Sequence, residues 1–101
     1  MKNIIINNVS YNVIKDVKDA IDVAVLSEKI TDYYDSFDYI VGDWAYGKVR
    51  LKGFNNKENK NFKPTNDIKK VEEYITNNCA YGCRHFILEK NKDWKDKVYL
   101  L

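Results

Sequence analysis

The residues of this sequence that could do chemistry fall mainly in two short stretches, and the first is Asp43–Gly47. A carboxylate, an indole and a phenol follow one another there, as Asp43, Trp44 and Tyr46. Together they offer a hydrogen-bond acceptor, a flat apolar surface and a hydrogen-bond donor. The chemistry of a tight turn explains the Asp and the Gly but not the aromatic pair, so we consider this stretch a candidate binding site.

A row of basic residues follows the aromatic pair directly. Lys48, Arg50 and Lys52 recur at two-residue spacing, which places them on one face of a strand. Beside aromatic side chains, such a row could grip a single-stranded RNA backbone while bases stack. A charged strand face is more often simply solvated, and a net charge of +2 from 17 basic and 15 acidic residues does not favour nucleic acid.

The second stretch contains two cysteines and the only histidine, Cys79, Cys83 and His85. A structural zinc site takes four ligands, commonly from paired CxxC motifs, so the CxxxC spacing predicts no metal site. A thiol-based redox switch or enzyme is one alternative for this pair. The plainer interpretation, which we prefer, is that both side chains pack beneath a turn.

Length and composition indicate one folded cytoplasmic domain. The chain has 101 residues with 45% hydrophobic content, and it contains no apolar run long enough to cross a membrane. We therefore expect a cytoplasmic protein whose cysteines are thiols, with a domain core over about residues 3–90 and a charged tail over 91–101.

The pattern of apolar residues predicts the elements that position these side chains. Apolar runs on either side of Asp43–Gly47 predict a hairpin with these five residues as its turn, and Asn7–Asn8 predicts a smaller hairpin near the start of the chain. Helical spacing and capping residues predict two helices, Val23–Tyr34 and Asp67–Asn77, and Arg84–Lys90 is a final strand. The order is ββ-α-ββ-α-β, an α+β domain with a mainly antiparallel central sheet and two packed helices.

The run from Phe37 to Phe54, with a CxxGC motif before an apolar strand, resembles the YutD-like family of small bacterial proteins. The resemblance extends over roughly Ile5 to Lys90, although Ala45 replaces a family Gly and Phe37 replaces a Tyr. The matching residues are Gly42, Asp43, Trp44, Tyr46, Gly47, Arg50, Leu51, Lys52, Gly53, Phe54, Cys79, Gly82 and Cys83. The family is one of unknown function from Gram-positive bacteria, so the resemblance implies a fold and a cytosolic setting but no activity.

We therefore predict a non-enzymatic binding or adaptor module with no cofactor. The predicted binding residues are Asp43, Trp44, Tyr46, Arg50 and Lys52, because interaction hot spots concentrate aromatic and cationic side chains. A protein partner is favoured, with single-stranded RNA as an alternative. The other alternative is redox or enzymatic chemistry at Cys79, Cys83 and His85. No hydrolase, NTPase or zincin motif occurs, so those functions have no support in the sequence.

Overall fold

A five-stranded antiparallel sheet forms the centre of the computed structural model, which describes residues 2–78 and 83–91. The strands follow the spatial order β1-β2-β5-β3-β4. Their bounds are Asn3–Ile6 (β1), Val9–Val17 (β2), Tyr39–Ala45 (β3), Lys48–Phe54 (β4) and His85–Lys90 (β5). Two α-helices, Val23–Lys29 (α1) and Val71–Asn78 (α2), pack on opposite faces. This arrangement confirms the predicted α+β class and element order.

The two sheet faces have separate cores. One core joins Ile40, Phe86 and Leu88 to Leu26 of α1, and we call this side the α1 face. On the other side, the α2 face, Val41 and Ile87 pack with residues of α2. Because both faces of β3 and β5 are covered, their apolar runs Tyr39–Val41 and Phe86–Leu88 have no polar alternation.

The first hairpin, β1–β2, is closed by Asn7 and Asn8, whose φ angles are 52° and 67°. Two consecutive residues with positive φ form the type I′ turn that suits the twist of paired strands, and Asn tolerates it well. Strand β2 then continues to Val17 through a register shift between Val13 and Lys15. The bulge gives β2 one extra residue relative to β5 at this point.

Helix α1 is shorter than predicted. Asp22 caps its first turn by accepting a hydrogen bond from the Val25 N–H, but the helix ends at Lys29, and a separate 3-10 helix covers Asp32–Ser36. The prediction of one helix to Tyr34 was wrong because the Asn7 side chain, from the first hairpin, donates hydrogen bonds to the Ser27 and Ile30 carbonyls at 2.9 and 2.8 Å. This distant cap satisfies carbonyls that another helical turn would have used.

Helix α2 also begins later than predicted. Two short 3-10 helices, Pro64–Asn66 and Ile68–Lys70, precede it, and the α-helix starts only at Val71. Asp67 accepts a hydrogen bond from the Lys69 N–H and so separates the two 3-10 helices. No helix in the described part of the chain has the length and apolar content needed to span a membrane.

Candidate functional site

The tip of the β3–β4 hairpin is the two-residue turn Tyr46–Gly47, not the predicted five-residue turn. Strand β3 runs through Asp43 and Trp44 to Ala45, which pairs with Lys48. Tyr46 and Gly47 have φ angles of 55° and 75°, another type I′ turn. The Tyr46 side chain is fully exposed, at 103% of its reference area.

Asp43 and Arg50 face each other across the hairpin on the α2 face. The guanidinium donates from Nε to Oδ1 at 3.0 Å and from Nη2 to Oδ2 at 2.5 Å, which is a bidentate ion pair. Nη2 also donates to the Asn78 carbonyl at the end of α2, at 2.8 Å. The hydrogen bonds and charge of Asp43 raise the pKa of Arg50 above its usual value. The pair therefore ties the hairpin to α2 while half of the Arg50 side chain stays exposed, at 52%.

Trp44 lies on the opposite sheet face from Asp43, because successive strand residues point to opposite sides. Its indole Nε1 donates to the Ala20 carbonyl at 2.7 Å, and the Arg84 guanidinium lies 4.4 Å from the ring centroid. The predicted binding set is thus divided: Trp44 packs with the core of the α1 face, while Asp43 and Arg50 belong to the α2 face. The expectation that Asp43 and Trp44 lie in the turn was wrong, since both residues belong to strand β3.

Lys52 continues the basic row on the α2 face. Its ammonium lies 5.4 Å from the Phe54 ring centroid and 5.7 Å from that of Tyr74 on α2. These are cation–π distances, so the aromatic rings hold the charge beside strand β4. Burial raises the pKa of the Tyr74 phenol, which therefore stays protonated at neutral pH.

Two cavities open on either side of β4 near its end. One, of about 470 Å³, lies among an aromatic group from the 3-10 helix (Tyr33, Tyr34 and Phe37), the strand and Lys63. The other, of about 290 Å³, lies between the strand and α2 and includes Phe54 and Tyr74. Lys52 and Thr65 line both. The sequence analysis missed the first cavity, although the clustered aromatic residues at 33, 34 and 37 were a visible signal.

The loop after β4 is built around Asn55, which is completely buried. Its Oδ1 accepts hydrogen bonds from the Asp38 N–H at 2.9 Å and the Asn59 side chain at 3.1 Å. Its main chain bonds to the Asn66 carbonyl and the Ile68 N–H, at 2.7 and 3.1 Å. This loop, which is rich in Asn and Lys, is thus fixed by amide groups, and it forms one wall of both cavities.

The Cys79–Cys83 stretch falls partly outside the described residues, which exclude Cys79. Cys83 belongs to a disulfide, so the expectation of a thiol is wrong for this residue. His85 is 6% exposed, and its Nδ1 lies 2.8 Å from the Cys83 carbonyl oxygen. Because that carbonyl can only accept, the proton belongs on Nδ1. Within residues 2–78 and 83–91, no three His, Cys, Asp or Glu side chains come together as a metal site.

Comparison with known proteins supports one family. The family model described as "Putative antitoxin YutD-like" matches residues 5–89. A protein described as "Putative antitoxin YutD", from Bacillus subtilis strain 168, is 34% identical over 87 residues, which cover 86% of this chain and 96% of that protein. The solution NMR structure of protein yutD from Bacillus subtilis superimposes with a TM-score of 0.72 at 33% identity, covering 90% of this chain and 83% of that one. The chain therefore belongs to the YutD-like family.

Proposed function

We propose that this protein is an antitoxin-type binding module whose β3–β4 hairpin contacts a protein partner, the toxin that it counteracts. The descriptions of its family and of its Bacillus subtilis relative contain the word antitoxin. A small protein antitoxin acts most directly by binding its toxin. The partner class predicted from the sequence, a protein, agrees with this interpretation.

The main support for this proposal is the conformation and exposure of Tyr46 at the hairpin tip. A left-handed residue in a type I′ turn is best served by Asn or Gly, and a bulky side chain there costs roughly 1–2 kcal/mol. The chain itself uses Asn7 and Asn8 in its other type I′ turn. Tyr46 instead places a fully exposed phenol at this strained position. Backbone strain of this kind concentrates at functional sites, and an exposed Tyr is a typical interface anchor.

The basic row supplies the rest of the proposed surface. The side chains of Lys48, Arg50 and Lys52 lie on the α2 face of β4, the outer strand of the hairpin. The ion pair with Asp43 holds Arg50 in one position. A side chain that is fixed before binding loses less conformational entropy in a complex. The hairpin therefore offers an exposed aromatic tip beside pre-positioned cations.

A complementation experiment in the source organism tests the proposal. Deletion of the gene is expected to arrest growth, and suppressor mutations that restore growth identify the toxin. Wild-type protein and the Ile5→Ser variant should restore growth, since Ile5 is exposed (62%) on β1, far from the hairpin in strand order. Tyr46→Asn should fail to restore growth although it gives the turn its preferred Asn-Gly sequence.

Thermal denaturation of the same variant separates binding from folding. Tyr46→Asn should unfold at the same temperature as the wild type or higher, because it relieves strain. A Tyr46→Asn chain that restores growth fully would contradict the hairpin tip as a contact. Single-stranded RNA binding and redox chemistry at Cys79 and Cys83 remain alternative predictions; the first requires affinity that falls steeply with salt.

A further inference from the structure

We propose that the outer edge of β4 binds an extended acidic peptide segment of the protein partner as an additional strand. This inference rests on the proposed function, because it specifies how the partner is held. The side chains of the added strand would alternate between the two cavities that flank β4. Strand addition of this kind draws affinity from main-chain hydrogen bonds and specificity from pockets for alternate side chains.

The first step is that the β4 edge has outward-facing main-chain groups. Strand β4 is last in the sheet order and pairs only with β3 among the described strands. Trp44 lies opposite Val49, and its backbone N–H points away from β4 and donates to the Arg84 carbonyl at 3.0 Å. In an antiparallel pair the two opposed residues either exchange both hydrogen bonds or neither. Val49, Leu51 and Gly53 therefore direct their N–H and C=O groups outward.

Just beyond the end of β4, the same edge already pairs with another segment of the chain. Asn55, next in the same alternation, forms a parallel bridge with Asp67. The bridge consists of the Asn55 N–H bond to the Asn66 carbonyl and the Ile68 N–H bond to the Asn55 carbonyl. The edge of β4 is thus suited to an additional strand, and the internal segment pairs only with Asn55, the residue after β4.

The cavities lie where the side chains of an added strand would point. The larger cavity, with Tyr34 and Phe37, lies on the α1 side of Gly53, and the smaller one lies between β4 and Tyr74 of α2. Lys52 and Thr65 border both cavities. Because successive side chains of a strand point to opposite faces, neighbouring residues of the added strand would enter different cavities.

The charge of the edge selects an acidic occupant. The α2-face residues of β4 are Lys48, Arg50, Lys52 and Phe54, and neither lysine forms an ion pair with the described part of the chain. Among the described residues that line the larger cavity, Lys63 is a cation and none is a carboxylate. A second copy pairing antiparallel through β4 would set these cations opposite one another, which is destabilising. Asp or Glu at alternate positions of a partner strand would complement them.

Selection from a library of random phage-displayed peptides against the full chain tests the proposal. Selected peptides should carry Asp or Glu at alternate positions. Leu51→Pro removes one outward N–H without removing a bond to β3, and edge strands tolerate proline there. Compared with Leu51→Ala, which shortens the same side chain but keeps the N–H, Leu51→Pro should weaken peptide binding about tenfold or more. Lys48→Glu with Lys52→Glu should abolish binding, and Lys57→Glu with Lys60→Glu, two exposed loop lysines, should not.

Hydrogen exchange provides a second measurement on the unmodified chain if Leu51→Pro does not fold. A selected peptide should slow exchange of the Val49, Leu51 and Gly53 amides. Selected peptides without the acidic alternation, or equal binding to Leu51→Pro and Leu51→Ala, would overturn the proposal. So would a dimer in gel filtration that Leu51→Pro makes monomeric, since the edge would then hold a second copy. If Tyr46→Asn fails in complementation while Leu51→Pro succeeds, the proposed function stands and strand addition is wrong; if both succeed, both are wrong.

Discussion

Replacing Asn55 by Ala should destabilise the domain far more than an ordinary loop substitution. The substitution removes the Oδ1 acceptor used by the Asp38 N–H at 2.9 Å and the Asn59 amide at 3.1 Å. Each hydrogen bond contributes about 1 kcal/mol net, and removing an acceptor from a buried donor costs about 1–3 kcal/mol. The Asn55 Nδ2 bond to the Asn61 carbonyl is long, at 3.4 Å, and adds little. The expected loss is therefore about 2–4 kcal/mol.

Urea denaturation monitored by tryptophan fluorescence measures this loss, with Asn61→Ala as the matched control. Asn61 is exposed in the same loop, and its neighbours bond to its carbonyl, which the substitution keeps. The control should lie within about 0.5 kcal/mol of the wild type, as surface substitutions usually do. At about 4–8 °C per kcal/mol for a domain of this size, a loss of about 2–4 kcal/mol should also lower the melting temperature of Asn55→Ala by about 8–32 °C. Equal stability of the two variants would refute the idea that this one amide organises the loop.

Two further predictions concern packing and pH. Gly53→Ala places a Cβ 2.2 Å from the Phe37 ring, so it should lower the free energy of unfolding by about 1–3 kcal/mol. Gly47→Ala, with open space but a φ of +75°, should lower it by about 1 kcal/mol. Chemical denaturation of both variants compares the two losses. Burial, reinforced by the charge of Asp35, raises the pKa of Tyr11 in the folded protein to about 12 from 10.0. The contribution of this phenol to the free energy of unfolding is therefore complete below pH 10 and is lost as pH rises through 12. Between pH 10 and 12 the free energy of unfolding should therefore fall by about 2–3 kcal/mol more for the wild type than for Tyr11→Phe. The same pH dependence in both proteins would contradict this prediction.

The parts of the fold that depend on local patterns could be predicted from the sequence. Apolar runs and the Asn7–Asn8 turn were sufficient for the strands and both hairpins, because alternation and turn preferences are local properties. Helix ends were predicted poorly. The end of α1 depends on hydrogen bonds from Asn7, some 20 residues earlier in the chain, and no local pattern reports such a cap.

The candidate site was predicted only in part, for a reason of geometry. Treating Asp43–Gly47 as a turn put Asp43 and Trp44 on one surface, but β3 continues through both residues to Ala45 and so places them on opposite faces. The Asn-rich loop looked featureless because an amide network is specified by three-dimensional pairing, not by spacing. The outward-facing main-chain groups of β4 could not be predicted from the sequence either, because only the order of strands in the sheet shows that β4 is an edge strand.

Hydrogen exchange of the full chain, alone and with the toxin identified by suppression, tests the central claim most directly. The account predicts slower exchange confined to the β3–β4 hairpin, from Tyr46 at its tip to Gly53 along its edge. Protection confined instead to β1 or α1, with these hairpin amides unchanged, would contradict it.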